Sequence, residues 1–378
     1  MSTLKTNKVE STTPGGDCIV KATNNLSNRN IIVNGACNVA QRGTSSTSSG
    51  YHTVDRMNWG LSGHSVTVTQ SQHALTSSDT GPWEKGFRNS AHIALSGAGT
   101  MAANTTMSCF HKIEAQDIAN SGWDYTSASS YITLSFWFKV STAQTFYLLL
   151  FTSDGTAKSI VKAFTPGNTN WNKFTFTIPG ASGLQFDDDE QAGLNIGIVV
   201  TYGTDKTGSG NNLDSWGNYD SSERVPDMAS TWLTAGASTY EFTGLQLEVG
   251  DVATDFEHRS YGDDLTASQR YYYNYKGDNG DSIGVPGCAW GTTTVTFFVQ
   301  HPVAMRANPS IEGSGNCRFQ SSNDSAAFAI SDFGIQNVPT DFKTMVFNKT
   351  STSSATEHAG GSLQMQSDSA ILGFNAEL

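Results

Sequence analysis

Large apolar residues alternate with polar ones at a period of two over much of the chain. The alternation is clearest at 131–139 and returns at 174–178, 194–200 and 240–249, whereas residues 146–151 are apolar on both faces, as in a central strand. Gly, Asn, Asp and Pro separate these segments. Several short strands at this spacing, with no long helical period between them, predict an all-β sandwich or barrel rather than a parallel α/β sheet.

The first 45 residues differ from the strand-rich region that follows. They are mostly polar, and we interpret residues 1–45 as an attachment and oligomerisation arm whose apolar contacts come from Leu4, Val9, Ile31 and Ile32. Its beginning, residues 1–20, has too little apolar area to offset the entropy lost when it becomes ordered. We therefore expect it to pair with copies of itself or to dock on a larger body.

The pattern then predicts a main β domain over 46–261 and a smaller β domain over 262–378. A short helix is expected near their boundary, with Asp263 or Asp264 as its N-cap. Short strands are predicted after it, near 292–299, 317–320, 328–330, 343–347 and 363–366. Within the main domain, the polar loop 203–229 is unusually long for a compact fold, which is typical of a functional or mobile segment.

Composition excludes several classes of protein. The chain has 22 Lys and Arg against 34 Asp and Glu, a net charge of −12, so it lacks the basic face that a nucleic-acid partner requires. The aromatic content of 11% argues against global disorder. Apolar runs are too short to span a membrane, and no secretory signal is visible. The cysteines are scattered, without a CxxC pair, and are expected to be reduced thiols: Cys18, Cys37, Cys109, Cys288 and Cys317.

Two stretches carry a family resemblance: NRNIIVNGACNVAQRGTS (28–45) and LQLEVGDVATDFEHRSYGDDLTASQRYYYNY (245–275). Together with HKIEAQDI (111–118) and YITLSFWFKV (131–140), they resemble a module of tail-fibre and other receptor-contacting structural proteins of bacteriophages. The opening MSTLKTNKVES and the closing AILGFNAEL are similar to the ends of the same proteins. The chain departs from that pattern at Asp255, where the family more often has proline.

The resemblance implies a β-sandwich in a homotrimeric tail fibre of the virion, assembled in the host cytoplasm. Its expected partners are other tail or virion proteins and a host-surface glycan, with no membrane insertion. The stretch from HKIE to LEVG is also similar to the jelly-roll carbohydrate-binding modules of bacterial glycan hydrolases, which implies a jelly roll for 46–261. Two alternatives stay open: a capsid-associated decoration or head fibre, and a glycan-degrading tail spike.

Sugar recognition requires flat aromatic faces beside planar polar groups, because sugar C–H faces stack on rings while amides, carboxylates and guanidinium groups bond the hydroxyls. Four aromatic residues in predicted loops fit this requirement: Trp83, Trp123, Trp216 and Tyr219. Trp137, Trp171 and Trp232 are expected instead to pack in the core or at a sheet edge. The sequence thus predicts a glycan-binding surface built from loop aromatics.

Catalysis has little support in the sequence. Glycan cleavage requires two carboxylates held roughly 5–10 Å apart, and no motif fixes that geometry for Glu114 with Asp117, for the run 187–190, or for Asp214 with its neighbours. Neither an HExxH nor a GxSxG motif is present. We therefore predict a protein without enzymatic activity.

A bound metal is a weaker expectation. Oxygen-rich loops suit calcium better than zinc, and the resemblance to carbohydrate-binding jelly rolls allows a structural calcium. The candidate ligands are Asp187, Asp189 and Asp214. No other cofactor is expected.

Overall fold

The computed structural model describes residues 28–313, 316–321, 328–330, 334–335, 344–350 and 356–378. Leu4 and Val9, assigned to the arm, lie outside these residues. No helix within the described ranges is long and apolar enough to cross a membrane.

The main domain is an antiparallel β-sandwich. Its strands are β1 (Ser45–Ser46), β2 (Asn58–His64), β3 (Val68–Ala74), β4 (Asn89–Leu95), β5 (Met101–Glu114), β6 (Tyr131–Val140), β7 (Phe146–Thr152), β8 (Lys158–Phe164), β9 (Asn172–Pro179), β10 (Ala192–Tyr202), β11 (Gly217–Asn218) and β12 (Thr239–Val249). The first sheet has the order β1-β3-β4-β12-β6-β9, and the second has the order β11-β8-β7-β10-β5-β2. Helices α1 (Ala115–Ala119), α2 (Thr231–Thr234) and α3 (Tyr261–Gln269) are short.

The two sheets enclose one core. Phe136 and Phe138 project inward from β6 and belong to the same buried cluster as Leu148 and Leu150 of β7. The inward side chains are those of the apolar phase of the alternating pattern, since burying that phase removes the largest apolar area from water. The all-β fold with a jelly-roll β-sandwich is thereby confirmed.

The segment that precedes β1 belongs to the sandwich. Ile32 is 1% exposed within the main core, and the Ile31 backbone N–H donates to the carbonyl of Leu247 in β12 at 2.9 Å. The side chain of Asn34 bonds the backbone of Val39 and Asp55 and fixes the following turn. The assignment of Ile31 and Ile32 to an attachment arm was therefore wrong, because an apolar pair this close to the sandwich edge gains more by burial there.

A smaller β domain follows. Its strands are β13 (Tyr272–Gly277), β14 (Ser282–Ala289), β15 (Thr294–Gln300), β16 (Ser310–Glu312), β17 (Cys317–Ser321), β18 (Phe328–Ala329), β19 (Gly334–Ile335), β20 (Thr344–Thr350), β21 (Gly360–Met365) and β22 (Ala370–Asn375). They form one sheet of order β13-β22-β16 and another of order β18-β17-β21-β14-β15-β20-β19. A separate apolar cluster, which includes Val285, Phe297 and Phe374, lies within this domain.

Helix α3 begins one turn earlier than its acidic residues suggested. Ser260 is the N-cap, since its hydroxyl accepts from the Asp263 backbone N–H at 3.1 Å and donates to the Asp263 carboxylate at 2.7 Å. Asp263 and Asp264 instead occupy the first turn, where carboxylates interact favourably with the helix dipole. The helix itself was predicted correctly, but its cap was not.

Candidate functional site

The two motif stretches meet at a buried contact between the domains, which we call the domain junction. The Arg56 guanidinium pairs with Glu377 and stacks on the Tyr271 ring, 3.4 Å from its centroid. Arg42 stacks on Tyr272 at the same distance and also pairs with Glu377, at 3.3 Å. These ion pairs and ring contacts explain how the two domains are held together.

Glu114 completes the domain junction. Its carboxylate accepts two hydrogen bonds from Arg270, each 2.7 Å, and one from the Tyr271 hydroxyl at 2.6 Å. Burial alone would raise the pKa of Glu114, but these hydrogen bonds and the Arg270 charge lower it. Glu114 is thus held ionised, with its oxygens bonded to Arg270 and Tyr271, and it is unsuited to act as a catalytic acid beside Asp117.

The outer face of the second sheet is covered by the chain itself. In the loop 203–229, Val225 is fully buried against Leu149 and Val199 of that face. Tyr219 stacks on Phe151, with ring centroids 4.8 Å apart and planes 17° from parallel. The loop predicted to be functional or mobile is therefore a packed cover, and one face of Tyr219 is taken up by Phe151.

Two of the other aromatic residues proposed for sugar binding are also engaged. Trp123 is 3% exposed within the main core, and its Nε1 donates to the carbonyl of Ser130 at 3.3 Å. Trp216 packs against the edge of the same core and donates to the carbonyl of Pro179 at 2.7 Å. The structure thus corrects the assignment of Trp123, which has no ring face at the surface, and places Trp216 at the rim of the core.

The outer face of the first sheet carries a row of polar side chains across four strands. The register sets Ser71 beside His92 and His92 beside Glu241. Glu241 in turn lies beside Lys139, and the two are joined by an ion pair of 3.2 Å. His73 Nδ1 is 3.0 Å from the second carboxylate oxygen of Glu241. We call this set the polar row; His73 and Lys139 are its more exposed members.

Three half-buried tryptophans lie at the β6 end of the polar row: Trp83, Trp137 and Trp171. We call them the tryptophan patch. The Arg88 guanidinium lies 3.8 Å from the centroid of the Trp83 ring. Gly81 rests directly on Trp137, since a Cβ at position 81 would come within 2.7 Å of that ring. The sequence Gly-Pro-Trp at 81–83 thereby brings its backbone onto the sheet face, and Trp83 packs against the same buried cluster as Trp137.

Asp79 anchors the tryptophan patch. It accepts hydrogen bonds from the Thr76 backbone at 3.0 Å, from Lys139 at 2.9 Å and from Trp171 Nε1 at 3.0 Å. Burial opposes ionisation of Asp79, but these three donors prevail and hold its pKa far below the usual range. One carboxylate thus joins two loops to strand β6.

The tryptophan patch contains one predicted aromatic, Trp83, and two that had been assigned to packing. Trp137 and Trp171 do pack against a buried cluster, that of Ala36, Leu75 and Phe87, yet each is only half-buried. A signal for Trp137 existed in the sequence, because it lies in the polar phase of an otherwise alternating strand. Trp171 precedes β9 in a loop and carried no such signal.

The acidic residues proposed as metal ligands are not assembled into a site. Asp187 accepts from Gln185 at 2.6 Å, and Asp189 accepts from the backbone N–H of Gln191. Asp214 lies in the loop 203–229, which covers the second sheet, and it pairs with Lys162 at 3.0 Å. Among the described residues, no group of three or more His, Cys, Asp or Glu side chains could hold a metal ion.

Comparison with known proteins yields structural neighbours only. No family model and no curated protein matches the chain. Among solved structures, the carbohydrate-binding module CBM4 is 13% identical, with 58% of this chain and 99% of the module aligned at a TM-score of 0.30. The family 11 module from Clostridium thermocellum, in complex with a mixed-linked tetrasaccharide, is 9% identical over 57% and 98%, with a TM-score of 0.27.

A phage protein is also among these neighbours. The enzymatically active domain of tailspike protein 4 from bacteriophage CBA120 is 12% identical over 58% of this chain, at a TM-score of 0.30. The aligned region spans only 21% of that tailspike chain.

Proposed function

We propose that this protein is a structural protein of a bacteriophage virion, a tail fibre that recognises glycans of the host surface through the tryptophan patch. The observation that carries the glycan-binding role is the placement of Trp83, Trp137 and Trp171 beside the polar row on one open sheet face. The virion role is supported by the sequence resemblance at 28–45 and 245–275.

The chemistry of this face suits a sugar chain. Partly exposed indole rings offer apolar surface to sugar C–H groups. Lys139 and Arg88 supply charged donors next to those rings, and His73 adds an imidazole ring. The other broad face of the sandwich is closed by the loop 203–229, so the outer face of the first sheet is the better candidate.

Trp83 provides the direct test of this site. We expect Trp83→Ala to weaken binding of purified host-surface polysaccharide roughly tenfold, because the loss of a central aromatic removes stacking area. Trp290, 66% exposed in the smaller domain, supplies a matched control. Affinity is measured by calorimetry, and thermal melts confirm that each variant is folded. Unchanged affinity in Trp83→Ala, or a loss confined to Trp290→Ala, would contradict the assignment.

We further propose that the protein acts as a homotrimer without enzymatic activity. Three copies would add weak single-site contacts through multivalency. Two acidic side chains beside the tryptophan patch, Asp79 and Glu241, have lowered pKa values because Lys139 and neighbouring donors outweigh burial. Neither is therefore suited to donate a proton at neutral pH.

Two measurements test these statements. Light scattering of the full chain at micromolar concentration is expected to give three times the mass of one chain, and a monomer would contradict the trimer. Incubation with host polysaccharide is expected to leave its size distribution unchanged. Shortened polysaccharide would favour the glycan-degrading spike instead.

A further inference from the structure

A cavity of about 670 Å³ lies on the sandwich, separate from the tryptophan patch. Its walls come from the segment that starts at Asn28, from α1 with the turn that follows it, and from the chain after β12. The volume is within the roughly 300–1,000 Å³ of small-ligand sites. None of the aromatic residues discussed above lines it, so it requires a different kind of ligand contact.

Two arginines line the cavity, and only one is paired with a carboxylate. Arg259 lies 3.4 Å from Glu257 and donates to the carbonyl of Asn30. Arg29 donates to the carbonyl of Asp255 at 3.0 Å but makes no ion pair with a described residue, and its buried Nε has no partner. In a chain of net charge −12, an uncompensated guanidinium in a cavity wall favours an anionic group.

Helix α1 and its following turn provide neutral and acidic oxygens on the same cavity. Asp117 is exposed there, and none of its side-chain oxygens bonds a described residue. Asn120 uses its amide N–H groups on the Gln116 carbonyl and on Asp188, and its Oδ1 accepts no hydrogen bond from a described residue. Carboxylate and amide oxygens of this kind accept hydrogen bonds from sugar hydroxyls.

We propose that this cavity binds a sugar unit that carries a carboxylate, a hexuronate, with the acid group at Arg29 and the hydroxyls at Asp117 and Asn120. The choice of a sugar rests on the proposed glycan-binding function, whereas the requirement for an anion rests on Arg29 alone. The cavity is a second recognition site, distinct from the tryptophan patch.

The test uses the full chain and three probes: glucuronate, glucose and inorganic phosphate. We expect glucuronate to bind at least about tenfold more tightly than glucose, because only glucuronate carries a carboxylate that can pair with the charged guanidinium. Phosphate is expected not to displace it. Equal binding of glucose, efficient displacement by phosphate, or no binding of glucuronate would each overturn the proposal.

Variants locate the binding to the cavity. Arg29→Gln is expected to weaken glucuronate binding at least about tenfold. Arg224→Gln serves as control, because Arg224 also donates to a loop carbonyl and forms no ion pair with a described residue, but lies outside the cavity. Should Arg29→Gln fold poorly, Asp117→Trp blocks the cavity from an exposed helix position and is expected to abolish binding.

The binding results of these variants distinguish the cavity from the tryptophan patch. Full glucuronate affinity in a folded Arg29→Gln or Asp117→Trp protein refutes the cavity site. Trp83→Ala is expected to keep glucuronate binding while it loses affinity for polysaccharide. Failure of the cavity is therefore separable from failure of the tryptophan patch.

Discussion

At the scale of single residues, the most unusual feature is a fully buried arginine. Arg56 lies between Glu377 and the Tyr271 ring, and it donates to the carbonyl of Lys112 at 2.6 Å. A buried charge is tolerated only when its partners replace the water it has lost. Removal of either partner therefore leaves an uncompensated ion in an apolar setting.

We expect Arg56→Gln to lower the free energy of unfolding by about 3–5 kcal/mol, since Glu377 remains buried with only Arg42 beside it. Lys162→Gln is the matched control: its partner Asp214 is 69% exposed, so loss of the pair leaves a hydrated carboxylate and costs about 0–1 kcal/mol. Urea denaturation of the two variants measures the difference. Equal effects would show that burial of the Arg56 pair is energetically unimportant.

His301 should make the stability of the smaller domain depend on pH. Burial lowers its pKa to about 4, and neither ring nitrogen has a partner among the described residues. In the unfolded chain the pKa of this histidine is about 6.5. Between that pH and pH 4, the unfolded chain therefore binds a proton at His301 that the folded chain does not. The contribution of His301 to the free energy of unfolding is therefore fully present above pH 6.5, and it is lost as the pH falls towards 4.

His301→Phe removes this titration and keeps an aromatic ring beside Phe374, whose centroid lies 5.1 Å from that of His301. We expect the variant to lose less stability than the wild type between pH 7.5 and pH 5. Replacement of the exposed His358 by Gln is expected to leave the wild-type dependence intact. Urea unfolding at the two pH values provides the measurement, and identical slopes in all three proteins would refute the assignment.

At the scale of elements, strand β7 explains the cover of the second sheet. The run 146–151 is apolar on both faces, because one face lies in the core and the other lies under the loop 203–229. The loop also pairs with β8, since the Val161 N–H donates to the Asn212 carbonyl at 2.9 Å. A polar loop thus becomes ordered through a few apolar side chains and an edge strand.

Val225 is the residue on which this cover depends. We expect Val225→Ser to cost about 2–3 kcal/mol, because it removes apolar contacts and buries a hydroxyl. Leu213→Ser, in the same loop at a position 43% exposed, is expected to change stability by less than about 0.5 kcal/mol. Limited proteolysis should cut Val225→Ser within the loop before the rest of the chain. Equal cleavage of both variants would count against a packed cover.

The sequence predicted the strands better than the surfaces. Alternation located β6, β9, β10 and β12 because burial of one phase is a local rule that each strand obeys. The covering role of the loop 203–229 and the burial of Trp123 depend on contacts between distant segments, which no local pattern encodes. Trp137 was partly predictable. Its polar position in the alternating strand indicated that it faces outward, but nothing local indicated that Trp83 and Trp171 pack against the same cluster.

At the scale of the whole molecule, the domain junction determines whether the two domains unfold together. Glu114 of β5 and Arg270 at the end of α3 form a bidentate pair across the sandwich boundary. Glu377, from the other end of the smaller domain, pairs with Arg42 and Arg56 of the sandwich. These ion pairs, which meet at Tyr271, should make the domains one cooperative unit, although multidomain chains often unfold in steps.

We expect scanning calorimetry of the full chain to show one transition, and Glu114→Gln to divide it into two. The variant leaves Arg270 facing a neutral amide and is expected to cost about 3 kcal/mol of coupling. Glu312→Gln is the control, because Glu312 lies at the same junction but is 44% exposed, and its contact with Arg42 is long at 3.8 Å, so it contributes little. Two transitions already in the wild type, or one retained in Glu114→Gln, would mean that apolar contacts rather than these ion pairs couple the domains.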